Sequence, residues 1–238
     1  MSQLAGYISQ CNYIVFFGGA GVSTESGIPD FRSATGLYNE VWKYPPEVMI
    51  SHSFFESHTA EFYDFYRRKL LHLDAVPGKA HHALAALEKS GKLKAVITQN
   101  IDGLHQKAGS NAVLELHGSI WRNYCISCGA EYDVSYVVNA PNVPYCHCGG
   151  LVRPDIVLYE EMLSDDILDA AVDHISRADM LIVGGTSLSV YPAAGLIDIF
   201  NGGRLVLINK SATHVDEIAD MVICDNIGDV LSAVTGAM

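Results

Sequence analysis

Residues 16–32 read FFGGAGVSTESGIPDFR. The stretch leaves an apolar run, Tyr13 to Phe17, with the composition of a buried strand, and empties into Gly18, Gly19, Ala20 and Gly21. Residues with little or no Cβ let a backbone turn through φ > 0 and come close to a ligand, which suits the phosphates of a dinucleotide. The spacing is not the usual G-x-G-x-x-G, because Val22, Ser23 and Thr24 follow Gly19-Ala20-Gly21 and the third glycine is missing.

Later segments repeat the strand-then-loop pattern. Residues 2 to 11 read as a helix before the first strand, and residues 79–90, KAHHALAALEKS, place Ala80, Leu84 and Leu87 on one side of a helix that Gly91 stops. Leu93 to Thr98 is a strand opening into Gln99-Asn100-Ile101-Asp102-Gly103, a polar set at the strand end where open α/β sheets hold their ligands. Ala112 to Leu116 is a further strand, ending in His117-Gly118. Asp155 to Tyr159 is extended, and Ser164 caps a helix with Asp165 and Asp166 in its first turn. Strands at Met180 to Val183, Leu205 to Asn209 and Met221 to Cys224 complete the set, with a loop at Gly184-Gly185-Thr186-Ser187 and a short helix near Ala193 to Phe200. These strands are apolar throughout, the pattern of a parallel sheet covered on both faces. Between Ser33 and about Leu73 the chain is irregular and aromatic, which reads as core with some rings left for a pocket wall or cover.

The 238 residues are 49 % hydrophobic and 18 % charged, enough to bury a sizeable core in one large domain or a large domain with a small insert. No apolar run reaches the roughly 18 residues of a spanning helix, so no membrane partner is expected. The start, MSQLAGYISQCN, lacks the basic and apolar parts of a secretory signal, which points to the reducing cytoplasm. A net charge of −12 repels phosphate backbones, arguing against direct nucleic-acid binding, and suits a cationic peptide.

From about Ile120 to Val152 the character changes. Cys125-Ile-Ser-Cys128 and Cys146-His-Cys148 place two thiol pairs on turns in one short segment, as a tetrahedral zinc ion requires. Four thiolates leave no open position for water, so this zinc holds structure and does no chemistry. His147, inside the second pair, could replace a neighbouring cysteine.

Taken together the residues resemble the sirtuins, NAD-dependent protein deacylases. The matching stretches are GAGVSTESGIPDFR at Gly19 to Arg32, TQNIDGLHQKAG at Thr98 to Gly109, LELHGS at Leu114 to Ser119, the paired cysteines, RPDIVLYEE at Arg153 to Glu161, and GGTSLSVYPAA at Gly184 to Ala194. The resemblance implies a Rossmann-like NAD-binding domain of residues 1–32, 75–119 and 153–238, a helical part of a small domain with the cofactor loop at 33–74, and a zinc-binding module at 120–152. It also implies the reaction: the acyl oxygen of an acyl-lysine protein or peptide attacks the ribose carbon bearing nicotinamide, nicotinamide leaves, and a histidine activates a ribose hydroxyl. NAD is consumed, and O-acyl-ADP-ribose is formed.

On this resemblance His117 is the general base, and an imidazole with an ordinary pKa near 6.5 suits that role. Asn100 and Asp102 orient nicotinamide and its ribose, with Gln99 and Ile101 beside them. Gly19, Ala20, Gly21, Thr24 and Asp30 form the loop, Phe31 shields the reacting ribose, and Arg32 balances phosphate charge. Gly185, Thr186 and Ser187 serve the adenosine side, Asn209 its ribose, and Ile227 the adenine. The peptide lies as an added strand between Val157, Leu158 and Tyr159 on one edge and Ser189, Val190 and Tyr191 on the other.

Two departures bear on specificity. Glu160 replaces the glycine that the family often has before Glu161, which is expected to favour basic flanks in the peptide. Members preferring succinyl or malonyl lysine carry a Tyr and, three positions on, an Arg. Here Tyr63 is followed at that spacing by Tyr66, with Arg67 one place further and turned by about 100° on a helix. The expected activity is therefore lysine deacetylation, with desuccinylation or protein ADP-ribosylation as the alternatives.

Overall fold

The computed structural model describes residues 2–33, 36–39 and 42–236. Helix α1 (Ser2–Gln10) leads into strand β1 (Ile14–Gly18), whose five residues are all buried. Short 3₁₀ turns at Ala20–Val22, Thr24–Ser26 and Leu37–Asn39 carry the chain to helices α2 (Pro46–Met49), α3 (His52–Ser57) and α4 (Thr59–Phe65), the last extended by a π turn at Tyr66–Leu70. Then come α5 (Lys79–Lys89), β2 (Leu93–Thr98), α6 (Leu104–Lys107) and β3 (Val113–Glu115). An antiparallel excursion of β4 (Gly118–Cys125), β5 (Glu131–Asp133), α7 (Val134–Asn139) and β6 (Val152–Ile156) follows. The chain returns through α8 (Asp165–Arg177), β7 (Met180–Gly184), a 3₁₀ segment at Ala193–Ile199, β8 (Arg204–Ile208), β9 (Met221–Ile223) and α9 (Ile227–Thr235).

The six parallel strands lie in the order β3-β2-β1-β7-β8-β9. Winding therefore runs one way from β1 to β3 and the other way from β7 to β9. Gly18 pairs with Thr98 of β2 and with Gly184 of β7, so the crevice at this reversal opens at the ends of β1, β2 and β7 together. That is where such sheets bind ligands.

Burial on both faces explains the unbroken apolar strands. On one face Ile14, Phe16, Val96, Ile182 and Val206 pack against α1, α5 and α9. On the other, Val15, Phe17, Ile97, Leu181 and Leu207 pack against α8 and the 193–199 segment. A third cluster joins Phe54, Phe55, Phe62, Tyr63, Phe65 and Tyr66 of the aromatic region to Ile120, Cys125, Cys146, Val152 and Ile156 of the antiparallel excursion. Each large ring taken out of water is worth about 1.5–3 kcal/mol, so two segments far apart in sequence are held as one unit.

Three readings change. The helix expected near 193–200 is 3₁₀, and the extended segment expected from Asp155 begins earlier, as β6 at Val152. Ser164 occupies the cap position of α8 without a side-chain capping bond. Helix α9 was not anticipated, although Asn226 caps it through Gly228 N, Ile227, Val230 and Leu231 give its buried face, and Gly236 ends it at φ +67°.

Candidate active site

The glycine loop after β1 is built for contact. Gly18, Gly19 and Gly21 are not among the residues with positive φ, contrary to the expectation that they turn through that region. What they supply is space. Gly21 N donates to Gly185 O at 2.8 Å, and a Cβ on Gly21 would lie 2.7 Å from Gly185 Cα. Ser23, at the next turn, accepts from Asn100 Nδ2 at 3.0 Å and donates to Asp102 Oδ2 at 2.6 Å. Its third partner is His81, whose Nε2 lies 3.4 Å away. Because His81 Nδ1 accepts from Gly78 N at 3.1 Å, the ring proton sits on Nε2, facing the serine. Asp102 is fixed further, its Oδ1 accepting from Leu104 N at 2.9 Å and its carbonyl from Trp121 Nε1 at 2.8 Å.

Behind this network lies a second histidine. The His105 ring packs edge-on to His81 at 4.8 Å, and burial lowers the pKa of both, His81 to about 4 and His105 to about 3. Both are neutral at physiological pH. Neither Ser23 nor the two histidines stood out in the sequence, where a turn serine and helix histidines have no special spacing.

His117 follows β3. Its Nδ1 lies 2.9 Å from Gln99 O, and since a carbonyl can only accept, the proton is on Nδ1 and the lone pair on Nε2. Burial pulls its pKa below the ordinary value, partly offset by that same hydrogen bond. Gly118 holds the turn at φ +74°, where a Cβ would collide with the Asp155 carbonyl. The Gln99 side chain continues the network: its Oε1 accepts from Thr186 Oγ1 at 2.9 Å, and Thr186 N donates to Asn209 Oδ1 at 3.1 Å. That leaves Gln99 Nε2 and Asn209 Nδ2 buried without a partner among the described residues. Buried donors of this kind are costly unless a ligand's oxygens meet them.

Two clefts meet around His117. One, of about 230 Å³, is walled largely by apolar side chains and includes Ile101, Asp102, Val157, Leu158, Tyr159 and Tyr191. The other, of about 550 Å³, takes in Gly21, Thr24, Asp30, Gly185, Thr186 and Ser187, and beyond them Asn209 and Ile227. Ala20, Phe31, Arg32, Gln99, Asn100, His117 and Val190 border both. Of the residues expected to meet NAD or the peptide, only Gly19 and Ser189 border neither. Gly19 leaves room for the Gln99 side chain, and the Ser189 hydroxyl donates to Ser187 O at 3.2 Å. Asp30 turns the loop by accepting from the amides of Arg32 and Ser33, at 3.1 and 2.7 Å. Lys210, Ser211 and Thr213 also border the larger cleft and were not anticipated.

The edge that includes Val157 to Tyr159 is braced from behind. Arg153 holds Glu161 through two bonds of 2.7 and 2.9 Å, and Glu161 Oε2 accepts from Leu158 N at 2.8 Å. Glu160 sits at φ +75°, the conformation a glycine takes easily. Its carboxylate accepts from Ser53 N and Ser53 Oγ at 2.9 and 3.0 Å, so its charge is held against the start of α3. Tyr63, Tyr66 and Arg67 border neither cleft. The Tyr63 hydroxyl donates to Val152 O, Tyr66 is wholly buried, and Arg67 donates to the carbonyls of Val137 and Asn142.

The four cysteines converge as the spacing required. Their sulfurs all lie within 4.8 Å of one another, with Cys125–Cys148 at 3.5 Å and Cys128–Cys146 at 3.6 Å. Zinc with four sulfurs at about 2.3 Å needs such spacings. Amides of Ser127, Cys148 and Gly150 and the Tyr132 hydroxyl point at sulfur, as thiolates demand. His147 is not part of the cluster.

The sequence profile described as the Sir2 family matches residues 19–192. Relatives named NAD-dependent protein deacetylase, from Clostridium acetobutylicum and Clostridium perfringens, are each 58 % identical over 238 residues, 98 % of this chain and 97 % and 98 % of their own. A solved Sir2 structure with a deacetylated p53 peptide and 3′-O-acetyl-ADP-ribose superposes with a TM-score of 0.93 at 40 % identity, covering 99 % of this chain and 97 % of that one. Another, bound to a propionylated peptide, gives 0.88 at 39 %, covering 99 % and 97 %.

Proposed function

The chain belongs to the Sir2 family, and from that premise we propose which of its residues carry the reaction. The protein is an NAD-dependent protein deacetylase. NAD, when bound, supplies the ribose carbon that receives the acetyl oxygen and gives up nicotinamide.

The larger cleft takes the ADP-ribose part. Ala20, Gly21 and Thr24 bring backbone close to its phosphates, Gly19 makes room behind them for the Gln99 side chain, Arg32 meets the phosphate charge, and the spare amide donors of Gln99 and Asn209 meet ribose hydroxyls. Gly185, Thr186, Ser187 and Ile227 enclose the adenosine. In the smaller cleft Asn100, Ile101 and Asp102 orient nicotinamide, the first and last held rigid by Ser23, and Phe31 excludes water from the reacting ribose. His117 Nε2 takes the proton of the ribose hydroxyl. The acetyl-lysine peptide adds as a strand between residues 157–159 and 189–191, and residues 33–74 with 120–152 form the small domain that presents the first of these edges.

The structure of the smaller cleft supports a small neutral acyl group. Tyr63, Tyr66 and Arg67, the residues nearest the spacing of the succinyl-preferring members, border neither cleft: the Tyr63 hydroxyl and the Arg67 guanidinium bond to backbone carbonyls elsewhere, and Tyr66 is wholly buried. The Glu160 carboxylate accepts from the amide and hydroxyl of Ser53 and also borders the smaller cleft, and a preference for basic flanks in the peptide belongs to the same proposal. A cytoplasmic location and the absence of nucleic-acid binding belong to the same proposal, the latter supported by the net charge of −12.

The observation that carries this reading is His117, with its proton fixed on Nδ1 and its place where both clefts meet. His117→Ala is expected to lower kcat roughly 10²–10⁴-fold while the protein still binds NAD. Full turnover in that variant would remove the assignment.

A further inference from the structure

Tyr38 and Tyr159 belong to segments with different tasks. Tyr38 closes the cofactor loop: its amide donates to Phe31 O at 2.9 Å, its ring lies 5.5 Å from that of Phe31, and the Arg32 guanidinium lies 5.4 Å from its centre. Tyr159 belongs to the peptide edge. Its amide donates to Ile50 O and its carbonyl accepts from His52 N, both at 3.0 Å, so its backbone is fixed against α3. The two hydroxyls meet at 2.7 Å, and both tyrosines border the smaller cleft. Burial and the neighbouring phenol keep Tyr38 un-ionised, so the contact is a neutral O–H···O bond whichever ring donates.

Phe31 and Arg32 border both clefts, and among the described residues this pair is the side-chain hydrogen bond that ties their loop to the peptide edge. A peptide seated beside Tyr159 restricts its ring, the shared hydroxyl bond passes that restriction to Tyr38, and Tyr38 sets where Phe31 and Arg32 stand. We propose that the Tyr38–Tyr159 hydroxyl pair couples binding of the acyl-lysine peptide to binding of the dinucleotide, so that each ligand raises affinity for the other. The inference rests on the assignment of the two clefts given above.

The test is calorimetry on the zinc-loaded full chain, titrating ADP-ribose with and without saturating acetyl-lysine peptide. The readout is the ratio of the two dissociation constants, in which any direct effect of a substitution on ADP-ribose affinity alone cancels. Loss of one net hydrogen bond predicts that Tyr159→Phe and Tyr38→Phe each bring the ratio about 3–10-fold closer to one, and that the double variant goes no further than either single. A merely structural role would lower the melting temperature and both affinities while leaving the ratio intact, and that result overturns the proposal. So does a double variant whose effects add, or a wild-type ratio of one. If the wild-type chain binds neither ligand, it is the reading of the clefts that fails.

Discussion

His117 differs from the other buried histidines in its hydrogen bond. Burial pushes His81 to about 4 even against the attraction of the Asp102 carboxylate, and pushes His105, whose ring nitrogens have no hydrogen-bond partner among the described residues, to about 3, whereas at His117 the Gln99 carbonyl partly counters burial. Because burial lowers its pKa from the ordinary 6.5, the neutral form predominates at pH 7 and the midpoint of protonation lies below 6.5. The acid limb of kcat/KM is therefore expected below pH 6.5, and a limb centred above 7 would contradict the environment described. The motif around His117 was legible because the strand end and the LELHG stretch are local. Ser23 was not, since its role depends on Asn100, Asp102 and His81 arriving from three other segments.

At the level of elements, the two cysteine pairs were fully legible, because metal ligation is written in short-range spacing. The aromatic stretch was only half so. Its rings do form core, but nothing local shows that they pack on β4 and β6, or that a π turn at Tyr66–Leu70 carries Arg67 to the Val137 and Asn142 carbonyls. Cys125 and Cys146 are buried in that same cluster, so metal and aromatic core stabilise each other. Removing zinc with a chelator, or Cys146→Ser, is expected to lower the melting temperature, expose the aromatic cluster to a hydrophobic dye and abolish turnover. Turnover that survives full zinc loss would contradict a structural role that reaches the peptide edge. Helix α9 had a cap, a buried face and a terminal glycine in its sequence, and its first residue, Ile227, also borders the larger cleft as expected.

Across the whole molecule, the parallel sheet and its reversal at β1 explain why loops distant in sequence share one crevice: the ends of β1, β2, β3, β7 and β8 all open there. The same burial has a thermodynamic consequence. His81 and His105 have folded-state pKa values below their unfolded values, so the stability they allow is complete above about pH 6.5 and is lost as pH falls toward about 4 and about 3. Each costs about 1.4 kcal/mol per pH unit across its window. His105→Gln should flatten the pH dependence of unfolding between pH 6 and 4.5 by about that amount, measured by denaturant titration, and an unchanged slope would show that His105 is not buried neutral.

The central claim is that one crevice transfers an acetyl group from lysine to the ADP-ribose of NAD. Mass spectrometry of an acetyl-lysine peptide and a matched succinyl-lysine peptide, each incubated with NAD and the zinc-loaded chain, tests it most directly. One nicotinamide and one O-acetyl-ADP-ribose are expected for each acetyl group lost, with the succinyl peptide reacting much more slowly. Deacetylation without NAD consumption, ADP-ribose added to protein in place of acetyl loss, or faster reaction of the succinyl peptide would contradict it.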